Sequence, residues 1–174
     1  MFFVDAAHFV LGAFMSVVGC FARVWIGAPS GRQRFNVLGA LDAVTQEVVT
    51  VVNSDYIHSW CVCDLLEKLA TLRSLPITVV LDNARYQRCT WVQAKADALK
   101  IELLFLPTYS PNLNLIERLW KFVKKQCLYA KYYPDFNSFT TAIERCLQDT
   151  RTIHAKAINS LLSLNFQTFQ KVQL

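Results

Sequence analysis

Three carboxylates stand out because each lies at the boundary of an apolar or amphipathic segment. Asp5 follows the short apolar run 2–4, and Asp82 follows the run 77–81. Glu117 lies near the start of a long amphipathic segment, and 34 residues separate it from Asp82. Carboxylates that are brought together repel one another, and a divalent cation removes that conflict. Mg²⁺ binds a few carboxylates together with water and phosphate oxygens, and a pair of such ions supports phosphodiester chemistry. Together the three acids predict metal-dependent phosphoryl transfer.

Each acid also has a purely structural interpretation. Asp5 suits a strand end whose carboxylate bonds to the nearby backbone. Asp82-Asn83 is a good turn or helix-cap sequence. Glu117 comes three residues after Asn114, as the acidic member of a capping box does. Taken singly, the two interpretations are equally favoured, so the phosphoryl-transfer hypothesis depends on the convergence of all three acids.

The elements that must position these acids alternate between strands and helices. The segments 35–41 and 47–52 are rich in β-branched residues and flank a turn, which predicts a hairpin. The continuous run 77–81, which Asp82 closes, is typical of a strand that is covered on both faces. We expect further strands at 2–5, 23–26 and 101–106, and helices at about 54–73, 88–99, 114–129, 136–148 and 155–164. This order predicts an α/β fold with one mixed sheet, helices on both of its faces and further helices at the C-terminus.

The helix whose first turn holds the third acid also carries several cations. Glu117, Lys121 and Lys124 recur at spacings of four and three residues, which places them on one face. Arg118 and Lys125 add positive charge on a second side. An exposed Glu–Lys pair is the simpler interpretation of this stripe. A metal-binding acid followed by cations is the pattern that a bound phosphate backbone favours.

Composition narrows the class of protein. The chain has 174 residues, 53% of them hydrophobic, and a net charge of +5, which fits one domain with a substantial core and a mild preference for polyanions. The apolar first twenty residues hold no Lys or Arg and include Asp5 and His8, so a buried strand is favoured over a signal peptide or a membrane span. The six cysteines lack a second pair at zinc spacing and are interpreted as buried thiols in a reducing cytoplasm.

Four stretches of the sequence are distinctive as a set. They are Val4–Phe9, Asn36–Asp42, Val80–Asn83 and Leu104–Trp120, and the last contains a Tyr-Ser-Pro loop that leads to the helix glutamate. Together they resemble the catalytic domain of mariner-related bacterial insertion-sequence transposases, a resemblance that spans residues 2–165. The 34 residues between the second and third acids are also typical of this bacterial branch.

The resemblance implies a ribonuclease-H-like fold with a mixed five-stranded sheet, and DDE chemistry. Asp5, Asp82 and Glu117 are then the catalytic residues and the ligands of two Mg²⁺ or Mn²⁺ ions. Such enzymes cut DNA at transposon ends and join the freed 3′-hydroxyl to target DNA, typically at a TA dinucleotide. The implied partners are double-stranded DNA, a second copy of the chain on that DNA and a separately encoded helix-turn-helix part, all in the cytoplasm at the nucleoid.

Residues around the acids also receive roles on this basis. The side chains that are expected to support the metal ligands are His8, Asn83 and Asn114. The cations that are expected to contact DNA are Arg85, Arg88, Arg118, Lys121, Lys124 and Lys125.

Three departures from the family pattern bear on these expectations. Gln87 stands where a His is frequent, and Leu115 stands where a Pro is common. Met1 comes only four residues before Asp5, which leaves no room for the usual preceding helix-turn-helix, so we expect a catalytic domain at 1–165 and a tail at 166–174. Two alternatives stay open: a catalytically silent truncated or frame-split fragment, and a structure-specific nuclease of the same fold that acts on RNA–DNA hybrids or branched DNA.

Overall fold

The computed structural model describes residues 1–12, 33–72, 76–108 and 110–166. The strand expected at 23–26 and Tyr109 of the loop motif lie outside these ranges. The strands of the described part are β1 (Phe2–Leu11), β2 (Gln33–Asp42), β3 (Val48–Asn53), β4 (Ile77–Leu81) and β5 (Ile101–Phe105). Its α-helices are α1 (Ser59–Leu72), α2 (Thr90–Ala98), α3 (Ile116–Leu128), α4 (Phe136–Gln148) and α5 (Ala155–Leu161).

The five strands form one mixed sheet in the order β3-β2-β1-β4-β5. β1, β2 and β3 pair antiparallel, whereas β4 pairs in parallel with β1 and with β5. The predicted hairpin is confirmed: Asp42 Oδ1 accepts hydrogen bonds from the backbone N–H groups of Val44 (2.8 Å) and Thr45 (3.2 Å) in the turn between β2 and β3.

Two hydrophobic cores lie on opposite faces of the sheet. Alternate residues of β1 divide between them, since Phe3, Ala7 and Phe9 pack with α3, α4 and α5, whereas Phe2 and Val4 pack with α1 and α2. The predicted α/β architecture, with helices on both faces of a mixed sheet, is therefore confirmed. None of the described helices is long and apolar enough to cross a bilayer.

Two element boundaries differ from expectation. β1 continues to Leu11 rather than ending near Asp5, because β2 pairs with it along its whole length. α1 begins at Ser59 rather than near residue 54. The preceding segment is held as a loop, in which Asn53 Oδ1 accepts from the Asp55 N–H at 2.5 Å. A local bond of this kind competes with helix formation.

Candidate active site

Asp5 lies within β1 at the point where β1 loses its neighbour β4. The last pair that the two strands share joins Phe3 and Val80. Continuing this parallel register by two residues places Asp5 level with Asp82, which directly follows β4. The prediction that Asp5 ends its strand is wrong. Asp5 still lies at an open edge, because β4 ends at this level and leaves β1 without a neighbouring strand on that side.

Asp82 is held by the loop that follows β4. Its Oδ1 accepts a hydrogen bond from the backbone N–H of Ala84 at 3.1 Å, so the expected turn is present. The turn occupies one carboxylate oxygen and does not prevent Asp82 from binding a cation. Asn83 Nδ2 donates to the carbonyl of Leu106, and the Leu106 N–H donates to the Leu81 carbonyl at 2.8 Å. Asn83 therefore joins the loops after β4 and β5 and fixes the position of Asp82 relative to them.

Glu117 stands in the first turn of α3, but the predicted capping box does not form. Leu115, the cap residue, is itself helical, and no side chain caps this end of the helix. Asn114 instead turns its amide towards β1, where Nδ2 donates to the carbonyl of Val4 at 3.1 Å. This bond ties the start of α3 to the residue that precedes Asp5, and so brings Glu117 to the first acid.

A glycine allows α3 to approach the sheet closely. Gly39 of β2 is the antiparallel partner of Asp5. A Cβ atom at Gly39 would lie 2.7 Å from two ring carbons of Trp120 and 3.1 Å from Cδ1 of Ile116. The indole of Trp120 therefore occupies the space that any other side chain would fill, and α3 lies directly over the strand pair that carries the first acid.

The three acids line one cavity of about 330 Å³. Burial, followed by repulsion from Glu117 and from Asp82, raises the pKa of Asp5 to about 7, although the Ala6 backbone and the Lys124 ammonium act in the opposite direction. The structure thus brings the three predicted acids together. The other residues that line this cavity are Asn83, Ala84, Leu106, Pro107, Thr108, Ser110 and Asn114.

The donor chemistry of this cavity fits a hydrated divalent cation. Among the residues that the structure describes, no three His, Cys, Asp or Glu side chains are grouped so as to hold a metal ion by themselves. Mg²⁺ accepts such an open arrangement, because it keeps several waters and binds through few carboxylates plus substrate phosphates. The raised pKa of Asp5 reflects a repulsion that a cation would relieve. Asp5, Asp82 and Glu117 are the residues that would hold it.

Tyr86 is a neighbour of the acids that sequence reasoning missed. Burial and the negative charges of Asp82 and Asp5 raise the pKa of its phenol to about 12. Gln87, which is fully buried, donates from Nε2 to the phenol oxygen at 3.4 Å. The phenol therefore keeps its proton at neutral pH. The only sequence signal for Tyr86 was its position four residues after Asp82. In a loop, such a spacing does not determine which way a side chain points.

Two of the six predicted DNA contacts are already engaged within the chain. Arg88 donates to Asn83 Oδ1 at 3.2 Å and lies over the ring of Phe105 at 5.4 Å. Arg118 lies over the ring of Phe166 and holds the segment after α5. Its guanidinium donates to the carbonyls of Leu161 (3.2 Å), Ser163 (2.7 Å) and Asn165 (2.6 Å).

The remaining four cations differ in exposure and surroundings. Arg85, Lys121 and Lys125 are exposed. Lys121 also lines a second cavity, of about 550 Å³, which shares part of its wall with the first. Lys124 is half-buried, lies 6.0 Å from the ring of Phe9 and is near enough to Asp5 to lower its pKa.

His8 lies on the opposite face of the sheet from Asp5, away from the cavity. Residues three apart on a strand point to opposite sides. The His8 ring pairs through Nδ1 with Asn36 Oδ1 at 2.6 Å, and Asn36 Nδ2 donates to the Asp55 carbonyl at 2.6 Å. The expectation that His8 supports a metal ligand therefore does not agree with its position.

Solved structures with a similar fold include transposase and integrase cores. The Mos1 mariner paired-end complex with Mn matches 95% of this chain and 56% of its own, at 14% identity and a TM-score of 0.61. The Mos1 strand transfer complex matches 95% and 55%, at 14% identity and a TM-score of 0.60. The HTLV-2 integrase catalytic core in complex with magnesium matches 87% and 86%, at 13% identity and a TM-score of 0.56. The chain spans about half the length of the Mos1 chains.

The mixed sheet between two helical layers is the ribonuclease-H-like fold that transposase and integrase cores also have. Residues 23–140, more than half of the chain, match the family model described as DDE superfamily endonuclease. The chain belongs to this family. The matched range contains Asp82 and Glu117 and begins after Asp5. A search of curated proteins found no match to the sequence.

Proposed function

We propose that this chain is the catalytic core of a DNA transposase, which cleaves transposon ends and transfers the 3′-hydroxyl into target DNA, typically at TA. The observation that carries the proposal is the shared cavity of Asp5, Asp82 and Glu117 in a DDE endonuclease. Transposition is favoured over other nuclease activities because the Mos1 protein, solved as a paired-end and as a strand transfer complex, has the same fold along 95% of this chain.

In this proposal the three acids are the catalytic residues. They would hold two Mg²⁺ or Mn²⁺ ions, whose chemistry would be to activate the attacking oxygen and stabilise the leaving oxygen. Asp5 must lose its proton to bind a cation, and Lys124 favours that loss. Asn83 holds Asp82 in place, because its side chain joins the loops after β4 and β5.

Double-stranded DNA is the proposed partner of the surface around the cavity. The exposed side chains of Arg85, Lys121 and Lys125 can neutralise phosphates, whereas the guanidinium of Arg118 is bound to the chain itself. Phosphate contacts position a duplex but do not read its sequence. Recognition of the transposon ends therefore falls to a helix-turn-helix part, and a second copy of the chain would hold the other end. The assembly would act at the nucleoid in the cytoplasm.

Cleavage and strand-transfer assays with Mn²⁺ test this function. The substrate is a duplex that carries the terminal repeat of the encoding element, with the helix-turn-helix part supplied. We expect Asp82→Asn to lower both rates by about three orders of magnitude, since cations stabilise the transition state by several kcal/mol. Asp97→Asn, at an exposed position of α2, is the matched control and should behave as the wild type.

Three other outcomes would overturn the proposal. Activity that survives Asp82→Asn would remove the acids from the chemistry. Failure of the wild type on matched ends would favour a silent fragment. Cleavage of RNA–DNA hybrids or branched DNA, without cleavage of the ends, would favour a structure-specific nuclease.

A further inference from the structure

The guanidinium of Arg118 holds the chain that follows α5. Its Nη1 donates to the carbonyls of Leu161 (3.2 Å) and Ser163 (2.7 Å), and its Nη2 donates to the carbonyl of Asn165 (2.6 Å). The last carbonyls of a helix have no partners within that helix and need donors from elsewhere. Arg118 supplies three donors from one planar group, which fixes residues 161–165 to α3.

The end of this segment also packs against the sheet. The centroid of the Phe166 ring lies 5.5 Å from the guanidinium carbon of Arg118 and 6.1 Å from the ring of Phe3, which belongs to β1. Phe3 is part of the hydrophobic core on the α3 side of the sheet, and Phe166 packs against that core. Arg118, the residue next to Glu117, therefore joins three parts of the molecule: α3, the segment 161–166 and β1.

The segment that Arg118 holds forms one wall of the second cavity, of about 550 Å³. Ser160 and Asn165 line the cavity on this side. On the other side α3 contributes Lys121 and also Glu117, which lines the first cavity as well. Release of the segment from α3 would open the second cavity along this wall.

The side chains of the second cavity suit a sugar–phosphate backbone. Lys121, Ser160 and Asn165 are exposed and carry ammonium, hydroxyl and amide donors, which are among the groups that contact DNA phosphates. The guanidinium of Arg118 keeps its positive charge while it binds neutral carbonyls. The carboxylate of Glu117 opposes these charges, and a divalent cation held with the other two acids would neutralise it.

The place of the second cavity limits which part of a DNA strand can occupy it. The first cavity is lined by all three acids, so under the proposed function the scissile phosphate lies there. Consecutive phosphates of one strand follow each other at about 3.4 Å along a duplex. A strand centred on the first cavity must continue past it, and the second cavity is an adjoining space with a cationic wall.

We propose that the second cavity binds the sugar–phosphate backbone beside the scissile phosphate, and that Arg118 is the positioning residue that forms this subsite. This inference rests on the proposed function. Lys121 contacts the flanking phosphate directly, whereas Arg118 acts through the segment that it holds. The role of Arg118 therefore differs from the direct DNA contact that the sequence led us to expect.

A methylphosphonate scan tests the phosphate contact. Each phosphate near the cleavage position of a transposon end is replaced in turn by a neutral methylphosphonate. Affinity is measured in the Asp82→Asn protein, which leaves the DNA uncut, with the helix-turn-helix part supplied. We expect one flanking position to lose about fivefold in affinity, the upper value for an exposed ion pair. Adding Lys121→Ala should abolish that loss, whereas the control Lys100→Ala should preserve it.

Arg118→Lys separates holding the segment from contacting DNA. The lysine keeps the positive charge but lacks the planar fork that reaches three carbonyls. We expect faster hydrogen exchange of the amides at 161–166, and loss of the same position-specific penalty in the scan. A direct contact between Arg118 and a phosphate would survive in the lysine variant, and the penalty would then persist.

Asn165→Ala tests the wall of the cavity without disturbing its support. The substitution removes the side-chain amide and keeps the carbonyl that Arg118 binds. We expect about two- to tenfold weaker binding of the transposon end with unchanged hydrogen exchange at 161–166. This variant keeps the inference testable even where Arg118→Lys fails to fold.

A scan without any flanking position whose penalty depends on Lys121 would overturn the subsite. A lysine variant at Arg118 that keeps the penalty would overturn the positioning role. In both cases the proposed function is unaffected, because it depends on cleavage and on its loss in Asp82→Asn. Conversely, a position-specific penalty in a chain that does not cleave matched ends would support the subsite and overturn the proposed function.

Discussion

Asp5 is an acid whose ionisation depends strongly on its surroundings. The free carboxyl of an aspartate has a pKa of 3.8, and burial with repulsion from Glu117 and Asp82 raises the pKa of Asp5 to about 7. Between these two values the folded protein holds a proton that the unfolded chain has lost. Stability of the cation-free protein should therefore fall as pH rises from about 4 to about 7. A bound cation should remove this cost and release the proton.

Asp5→Asn should remove this pH dependence, because the amide does not ionise. In EDTA at pH 8 we expect the variant to be more stable than the wild type by up to about 4 kcal/mol, with little difference near pH 4. Denaturant unfolding at the two pH values measures this, and Asp97→Asn is the control on an exposed surface. Parallel pH profiles for Asp5→Asn and the wild type would contradict it.

At the scale of elements, the contact between α3 and the sheet decides whether Glu117 meets Asp5. Gly39→Ala would place a Cβ atom 2.7 Å from the ring of Trp120, which is buried and cannot swing away. Such overpacking costs about 1–3 kcal/mol, and α3 must shift to relieve it. We expect lower stability and a loss of cleavage beyond what unfolding explains, because Glu117 moves with the helix.

Gly12→Ala is the matched control, since nothing lies within 4 Å of a Cβ atom there. Its stability should stay within about 0.5 kcal/mol of the wild type. Urea unfolding and single-turnover cleavage below the melting range measure both variants. A Gly39→Ala protein with unchanged stability and rate would show that α3 tolerates displacement at this point.

Elements were predicted best where the signal is local. The bounds of α4, 136–148, agree with expectation, because its amphipathic pattern is preceded by Asp135, whose carboxylate accepts from the Ser138 N–H at 2.7 Å. The outer half of β1 was missed, since that half is a strand through its pairing with β2. The start of α1 was missed for a similar reason, because loop bonds there outcompete the helix.

At the scale of the whole molecule, the chain carries a net positive charge, and two of its lysines, Lys121 and Lys124, lie close to the acids. The net charge is +5, and the exposed Lys121 stands one helical turn from Glu117 on α3. We expect Lys121→Ala to weaken binding to duplex DNA of any sequence. The slope of log affinity against log salt should become shallower by about 0.9, the value for one phosphate contact.

Lys100→Ala removes the same charge at the other end of β5 from the cavity and is the matched control. Fluorescence anisotropy over a range of salt concentrations gives both slopes. Equal slopes for the two variants would place the DNA elsewhere on the molecule. Both variants lower the total charge by one, so a difference between their slopes reports the position of the lysine and not the net charge.

The sequence by itself determined the three acids, the order of strands and helices and the mixed sheet, because periodicity, β-branched runs and turn residues act over a few neighbouring positions. Tertiary structure decided how the acids meet, since Asp5 and Glu117 are distant in the chain and are joined by the Asn114–Val4 bond and the close approach at Gly39. It also decided that Arg118 binds the chain itself. These outcomes depend on which surfaces face each other after folding, and no local pattern encodes that.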